Sequence, residues 1–218
     1  MTSKHIAVIG LGTFGGTVAR TLAGFGTRVL GIDSDEQAVA HLADSLDQVI
    51  IADGRDEQAL REAGVEDYDA VVVAIGEDLE ANILCTMNVK LLGVETIWVK
   101  ALSSTHHRIL NKLGADRVIH PEEEIGQHVA QMLHNPLVRD YLSLGNGFYI
   151  VDVQVPAALD GKLLACRQVS DHKVHCLGQM RGSELLEMQA DGWLLCEDDK
   201  LLMLGRRDDL RRFGEQLK

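Results

Sequence analysis

The chain lacks paired cysteines, an excess of positive charge and any apolar run long enough to enter a bilayer. Its four cysteines, Cys85, Cys166, Cys176 and Cys196, are widely spread and form no CxxC pair. That spacing excludes a zinc ribbon and a disulfide framework and fits a reducing cytoplasm. A formal net charge of −12 argues against DNA or anionic lipid as the main partner, because neutralising phosphates takes clustered lysine and arginine. The purest apolar runs, such as Ala70 to Ile75, have the length of a strand, and no basic leader precedes a long apolar stretch. A soluble chain is expected, one that meets a membrane only through a partner.

What the sequence does have is alternation. Short β-branched runs at Ile6 to Ile9, Arg28 to Ile32, Val49 to Ala52, Asp69 to Ile75, Thr96 to Ala101 and Arg117 to His120 alternate with helical stretches. The helices are expected over Thr17 to Ala23, Glu36 to Leu46, Glu57 to Ala63, Leu79 to Leu92 and Ser104 to Leu113. Nearly continuous apolar strands separated by helices imply a parallel sheet covered on both faces, with right-handed crossovers. The class is therefore α/β, a Rossmann-like doubly wound parallel sheet over residues 1–121. Residues 122–144 are expected to be helical, ending at the turn signal Leu144-Gly145-Asn146-Gly147. Residues 145–218 read as a small α+β lobe, with strands at Tyr149 to Val155, Val174 to Met180 and Lys200 to Leu204 and a helix over Asp208 to Leu217. A lobe of this size is marginal for folding alone, which suits pairing with a second copy.

Gly10-Leu11-Gly12-Thr13-Phe14-Gly15 matches GxGxxG between a strand and a helix. The first glycine permits the tight turn, the second lets backbone approach a diphosphate, and the third allows close helix packing, while the helix N-terminus offers N–H donors. Asp33, followed by Ser34, ends the second strand 18 residues after Gly15. A carboxylate there accepts hydrogen bonds from both ribose hydroxyls and repels a 2′-phosphate. The plain alternative is a tight turn at Gly10 to Gly15 and a helix cap at Asp33.

Asp53 and Gly54 follow the third strand and Ala74-Ile75-Gly76 ends the fourth, at the edge where such sheets hold ligands. Asp53 can equally cap the next helix, and Gly76 can be a turn residue. Lys100 ends the fifth strand, where an ammonium can face phosphate. Glu122, Glu123 and Glu124 suit either a hard cation or the first turn of a helix. The pairs His106-His107 and His172-x-x-His175 lack the remaining ligands of a tetrahedral zinc site. A hydride-transfer enzyme needs an acid or base poised over the nicotinamide, and the small second domain offers no such constellation. No catalytic residue is expected, although a small NAD-dependent oxidoreductase or an NAD-responsive regulator remains the competing class.

Several longer stretches carry a resemblance. Ala7-Val8-Ile9-Gly10-Leu11-Gly12-Thr13-Phe14-Gly15-Gly16, Val73-Ala74-Ile75-Gly76, Trp98-Val99-Lys100-Ala101 and Ile109 to Glu122 are similar to the KTN/RCK regulators of potassium transport, of the TrkA and KtrA type. Leu159-Asp160-Gly161-Lys162 and Gly205 to Phe213 resemble that family's C-terminal lobe. The resemblance implies a cytoplasmic gating ring, commonly an octamer built from dimers, beneath a separate membrane subunit that translocates potassium. It implies that ATP and ADP favour different ring shapes, with NAD as a further candidate ligand. Gly10, Gly12, Thr13, Phe14 and Gly15 then hold phosphates. Asp33 and Ser34 lie at the ribose, Asp53, Gly54, Ala74, Ile75 and Gly76 surround the adenosine, and Lys100 faces the phosphates. Glu122 is implied as a ligand to a divalent cation or sodium at a dimer interface. Where KtrA-type members often carry an arginine, this chain has Thr13, whose hydroxyl donates one hydrogen bond in place of a charged fork. The helix over Leu79 to Leu92 and the segment from Ile125 to Leu142 are apolar enough to pack between subunits, and the first of them can equally be a core helix.

Overall fold

The computed structural model describes residues 4–134, 138–187 and 192–217, and their contacts fall into two compact units, Met1–Pro121 and Glu122–Lys218. In the first, β1 (His5–Ile9), β2 (Arg28–Asp33), β3 (Gln48–Ile51), β4 (Ala70–Val73), β5 (Ile97–Lys100) and β6 (Arg117–Ile119) form one parallel sheet in the order β3-β2-β1-β4-β5-β6. The order reverses between β1 and β4, the switch point at whose carboxyl ends sheets of this kind hold ligands.

Side chains that alternate along each strand reach two separate cores. Ala7, Ile9, Leu30, Ile32, Val71 and Val73 share one face with Leu60, Cys85, Val89 and Leu110. Val8, Val29 and Val72 share the other with Ala19, Val39 and Leu42. Thus α1 (Thr13–Gly24) and α2 (Glu36–Leu42) cover one side. The other is covered by α3 (Glu57–Glu62), α4 (Leu79–Leu91) and α5 (Ser104–Leu113). Burial on both faces is why these strands lack the apolar-polar alternation of a half-exposed sheet. The largest boundary differences from expectation are in the helices: α1 begins at Thr13, inside the glycine loop, and α2 stops at Leu42.

The second unit begins with α6 (Pro121–His134), whose first residue, Pro121, closes the first unit. The expected helix does not run on to residue 142 or 144: Val138–Gly145 is a strand, β7, paired antiparallel with β8 (Phe148–Gln154). The reason lies in the turn. Asn146 and Gly147 both take positive φ, 52° and 77°, the conformation of a two-residue hairpin turn, and such a turn commits the residues on either side of it to pair. The sheet continues through β13 (Lys200–Arg206), β10 (His175–Arg181) and β11 (Glu184–Leu186), in the order β11-β10-β13-β8-β7. A two-stranded pair joins β9 (Leu163–Ala165) to β12 (Gly192–Leu194). The inward residues Val151, Val153, Leu201 and Met203 pack with Trp193 and with Leu210 and Phe213 of α8 (Arg207–Gln216). The short α7 (Cys166–Asp171) adds Val169 to that core.

Candidate nucleotide-binding site

The glycine loop is shaped by steric necessity. A methyl on Gly15 would stand 1.8 Å from the Gly10 carbonyl oxygen and 2.9 Å from Ala74 Cβ, and one on Gly10 would meet the Ala74–Ile75 peptide at 2.9 Å. Both positions require glycine because the loop presses against the end of β4. Gly12 differs: nothing lies within 4 Å of the space its methyl would fill. The backbone at Gly12 therefore faces open room, as close approach of a diphosphate demands.

Gly12 is also the N-cap of α1, with no side-chain cap and no acidic residue in the first turn. The next four helices each carry a side-chain cap: α2 by Asp35, α3 by Asp56, α4 by Asp78 and α5 by Ser103. A helix end without a cap presents its first N–H donors and its partial positive charge to whatever anion arrives.

Asp33 serves the loop itself. Its Oδ2 accepts from Leu11 N at 2.6 Å and its Oδ1 from Asp35 N at 2.9 Å, so it anchors the glycine turn and is not the cap of α2. Carboxylate oxygens keep further lone pairs for ribose hydroxyls. Ser34, beside it, is exposed. Asp53 is likewise not the cap of α3. Its carboxylate takes Arg55 Nη2 at 2.7 Å together with Arg55 Nε and N, and that guanidinium holds the Asp53 carboxyl below its usual range.

Lys100, largely buried, sets its Nζ 5.7 Å from the centroid of the Phe14 ring. A methyl on Gly76 would lie 2.9 Å from the same nitrogen, so Phe14, Gly76 and Lys100 meet at one point. Ala74 and Ile75 back the loop. Gly54 is buried against Cys85 and Ile9, where a methyl would come within 3.0 Å of sulfur. Glu122 lies exposed in the first turn of α6, in the second unit.

Sequence reasoning missed three residues here. Asn82, fully buried on α4, donates through Nδ2 to the carbonyls of Ile75 at 2.6 Å and Lys100 at 3.0 Å. Asn88 donates to the carbonyls of Gly54 at 3.2 Å and Arg55 at 2.9 Å. One helix thereby ties together the loops after β3, β4 and β5. The signal was inverted polarity: Asn82, Thr86 and Asn88 are buried while Leu79, Met87 and Leu91 are exposed. Arg55 is the third, two positions after Asp53 in an Asp-Gly-Arg turn.

Elsewhere at this edge, His107 Nδ1 and His120 Nε2 lie 2.8 Å apart with stacked rings. His106 is buried, its Nδ1 accepts from Leu102 N, and burial pulls its pKa down. Among the described residues no group of three His, Cys, Asp or Glu side chains is placed to hold a metal ion. Likewise no helix there is long and apolar enough to cross a membrane.

Residues 6–121 match the model of the TrkA-N domain. The chain belongs to the TrkA-N family. It is 34% identical over 215 residues to the Ktr system potassium uptake protein C of Bacillus subtilis, covering 98% of this chain and 97% of that one. It is 36% identical over 208 residues to the Ktr system potassium uptake protein A of Vibrio alginolyticus, covering 95% and 94%. Among solved structures, the GsuK channel bound to NAD matches 100% of the chain with a TM-score of 0.65 at 15% identity, the TrkA-N chain spanning 40% of that protein's length. The GsuK structure bound to ADP matches 58% of the chain and 33% of its own length, with a TM-score of 0.51 at 18% identity. At such identities the likeness is one of fold, and the TrkA-N assignment rests on the family model and the full-length relatives.

Proposed function

We propose that this chain is the nucleotide-binding regulatory subunit of a Ktr-type potassium uptake system and that it works by binding, without catalytic turnover. The observation that carries this is the uncapped amino end of α1, open at Gly12 and flanked by Asp33 and Lys100. A terminal anion, a ribose diol and a diphosphate each find a chemically matched partner there. Gly10, Gly12, Thr13, Phe14 and Gly15 hold the phosphates and Lys100 neutralises them. Asp33 and Ser34 take the ribose, and Asp53, Gly54, Ala74, Ile75 and Gly76 frame the adenosine. ATP, ADP and NAD all carry the unmodified ribose that Asp33 selects. The names of the full-length relatives support the potassium-uptake role, and the NAD- and ADP-bound GsuK structures support adenine nucleotides as ligands of this fold.

The rest of the assembly follows the same reading. A ring of these chains, a dimer-based octamer, docks on the cytoplasmic face of a separate potassium-translocating membrane subunit, and Glu122 offers a carboxylate to a divalent cation or sodium. ATP and ADP shift the ring only by their differential affinity for its two shapes.

Calorimetric titration of the chain with ATP, ADP and NAD, with magnesium and sodium varied, tests the site. Asp33→Ala is expected to weaken ATP or ADP binding by roughly 10- to 100-fold, the range of a lost charge-assisted hydrogen bond. Asp33→Asn, which keeps one acceptor for Leu11 N–H, should lose less. Absence of adenine-nucleotide binding overturns the assignment, and binding of NAD alone puts the NAD-responsive reading first.

A further inference from the structure

In the first unit the strand order β3-β2-β1 lays out a bound nucleotide part by part. Phosphates at Gly12 follow β1 and a ribose at Asp33 stands at the end of β2, so the base falls outward of β2, on the loop after β3. That loop starts beside Asp33. Ile51 is the strand partner of Asp33, and Ala52 N donates to the Asp33 carbonyl at 3.0 Å. Asp53 and Arg55 come next.

The backbone of this loop is fixed without the help of their side-chain pair. Asn88 holds the carbonyls of Gly54 and Arg55, Asp56 N donates to the Asp53 carbonyl at 3.0 Å, and Asp56 caps α3. The ion pair between Arg55 and Asp53 joins side chains 53% and 42% exposed, and pairs in such positions contribute little to stability. What it does is hold a plane in place. Arg55 Nε lies 3.0 Å from both Asp53 oxygens, and Nη2 lies 2.7 Å from one of them. These bonds run in the plane of the guanidinium and use one edge, so its faces are not spent on them. The carboxylates of Asp78 and Glu80, at the start of α4, act on the same guanidinium.

We infer that Arg55 is the residue that selects the base: its guanidinium face stacks on a purine, and Asp53 is a positioning residue that holds that face ready. A guanidinium is planar and stacks on aromatic rings, whereas an ammonium is a compact point charge. A base laid on such a plane gains affinity by stacking. Fixing the side chain before the ligand arrives lowers the ordering cost of binding. Arg55 lies outside the stretches that carry the family resemblance, and its role rests on the adenine-nucleotide reading of the glycine loop.

The test is calorimetric titration of the full chain with ADP, with NAD and with inorganic pyrophosphate, which has the diphosphate and no base. Arg55→Ala, at an exposed position whose backbone contacts any residue supplies, should weaken ADP and NAD about tenfold and leave pyrophosphate unchanged. Arg55→Lys keeps the charge and loses the plane, and should resemble Arg55→Ala. Asp53→Asn should weaken the nucleotides less, and should have no effect once Arg55 is replaced by alanine. Nucleotide binding that Asp33→Ala weakens but Arg55→Ala leaves at the wild-type level overturns the role of Arg55 and leaves the glycine-loop site standing. So does a loss shared equally by pyrophosphate, or full recovery in Arg55→Lys, either of which means charge attraction in place of stacking. An effect of Asp53→Asn that persists without Arg55 overturns the positioning role of Asp53. A wild-type chain that binds neither ADP nor NAD overturns the glycine-loop site, and the role of Arg55 with it.

Discussion

The two units anchor their loops by different means. In the first, the loops at the carboxyl edge are held by backbone fit, neutral amides and one half-buried carboxylate: Gly10 and Gly15 against the end of β4, Asn82 and Asn88 on the carbonyls of neighbouring loops, Asp33 on Leu11 N. In the second, one buried charge does the work. Asp199, 1% exposed, accepts from Arg181 Nε and Nη2 at 2.9 Å, from Gln179 Nε2 at 2.5 Å and from Cys196 N at 2.7 Å. Asp33 keeps lone pairs beyond the two backbone N–H groups it serves, whereas the Asp199 carboxylate is consumed internally. The comparison therefore sets the proposed binding edge against an anchor that serves stability alone.

Asp199→Ala is the severest way to break the comparison. Arg181 is partly exposed and rehydrates, but the Gln179 amide and the Cys196 N–H lose a buried acceptor, at about 1 to 3 kcal/mol for each unsatisfied group. A total loss of about 3 kcal/mol is expected, read as a fall in hydrogen-exchange protection over β10 and β13 with nucleotide affinity unchanged. An equal fall across β1 and β4 would show that the two units do not separate in this way. The wild-type chain should show the same weakness in acid. Arg181 beside it, aided by the hydrogen bonds it accepts, holds the Asp199 carboxyl below its ordinary range. A lowered folded pKa gives stability that is complete above the unfolded value of about 3.9 and is lost as pH falls through the folded one. Protection of β10 and β13 should therefore hold down to about pH 4 and drop below it.

Next in size is Gly15→Ala. Its methyl would sit 1.8 Å from a backbone oxygen, and relieving that clash moves the loop, at about 2 to 3 kcal/mol for an overpacked site. Stability of the first unit and nucleotide affinity should fall together, measured by denaturant melts and calorimetry on the same preparations. A variant that binds normally would mean that the loop geometry is not what positions the ligand.

How much of this was legible in the sequence follows the same division. All six strands of the parallel sheet announced themselves as apolar runs, because burial on both faces leaves little room for polar residues, and GxGxxG fixed the loop between β1 and α1. The role of Asp33 as an anchor for Leu11 N–H, and the tie that Asn82 and Asn88 make across three loops, were invisible, because each depends on residues brought together only by the sheet. β7 was hidden for another reason. Its Leu142 and Leu144 are exposed, so the usual signature of a core-facing strand was absent, and the run from Pro121 resembled one long helix. Only the Asn146-Gly147 turn marks a hairpin, and the same signal suits a boundary between domains.

The smallest expected effect on stability sharpens the comparison most. Gly12 has the role of an N-cap but open space above it, so Gly12→Ala meets no neighbouring atom and should cost within about 1 kcal/mol, the difference between glycine and alanine at that position. Binding should respond quite differently. The added methyl occupies the approach by which a diphosphate reaches the first N–H donors of α1, and affinity for ATP, ADP or NAD should fall about tenfold, equivalent to about 1.4 kcal/mol. The dissociation of the two readouts is the point. Gly15→Ala lowers both, Asp199→Ala lowers stability alone, and Gly12→Ala should lower affinity alone. If calorimetry finds Gly12→Ala binding nucleotide as tightly as the wild type, the ligand does not pass over the amino end of α1, and the one uncapped helix end among α1 to α5 needs a different explanation.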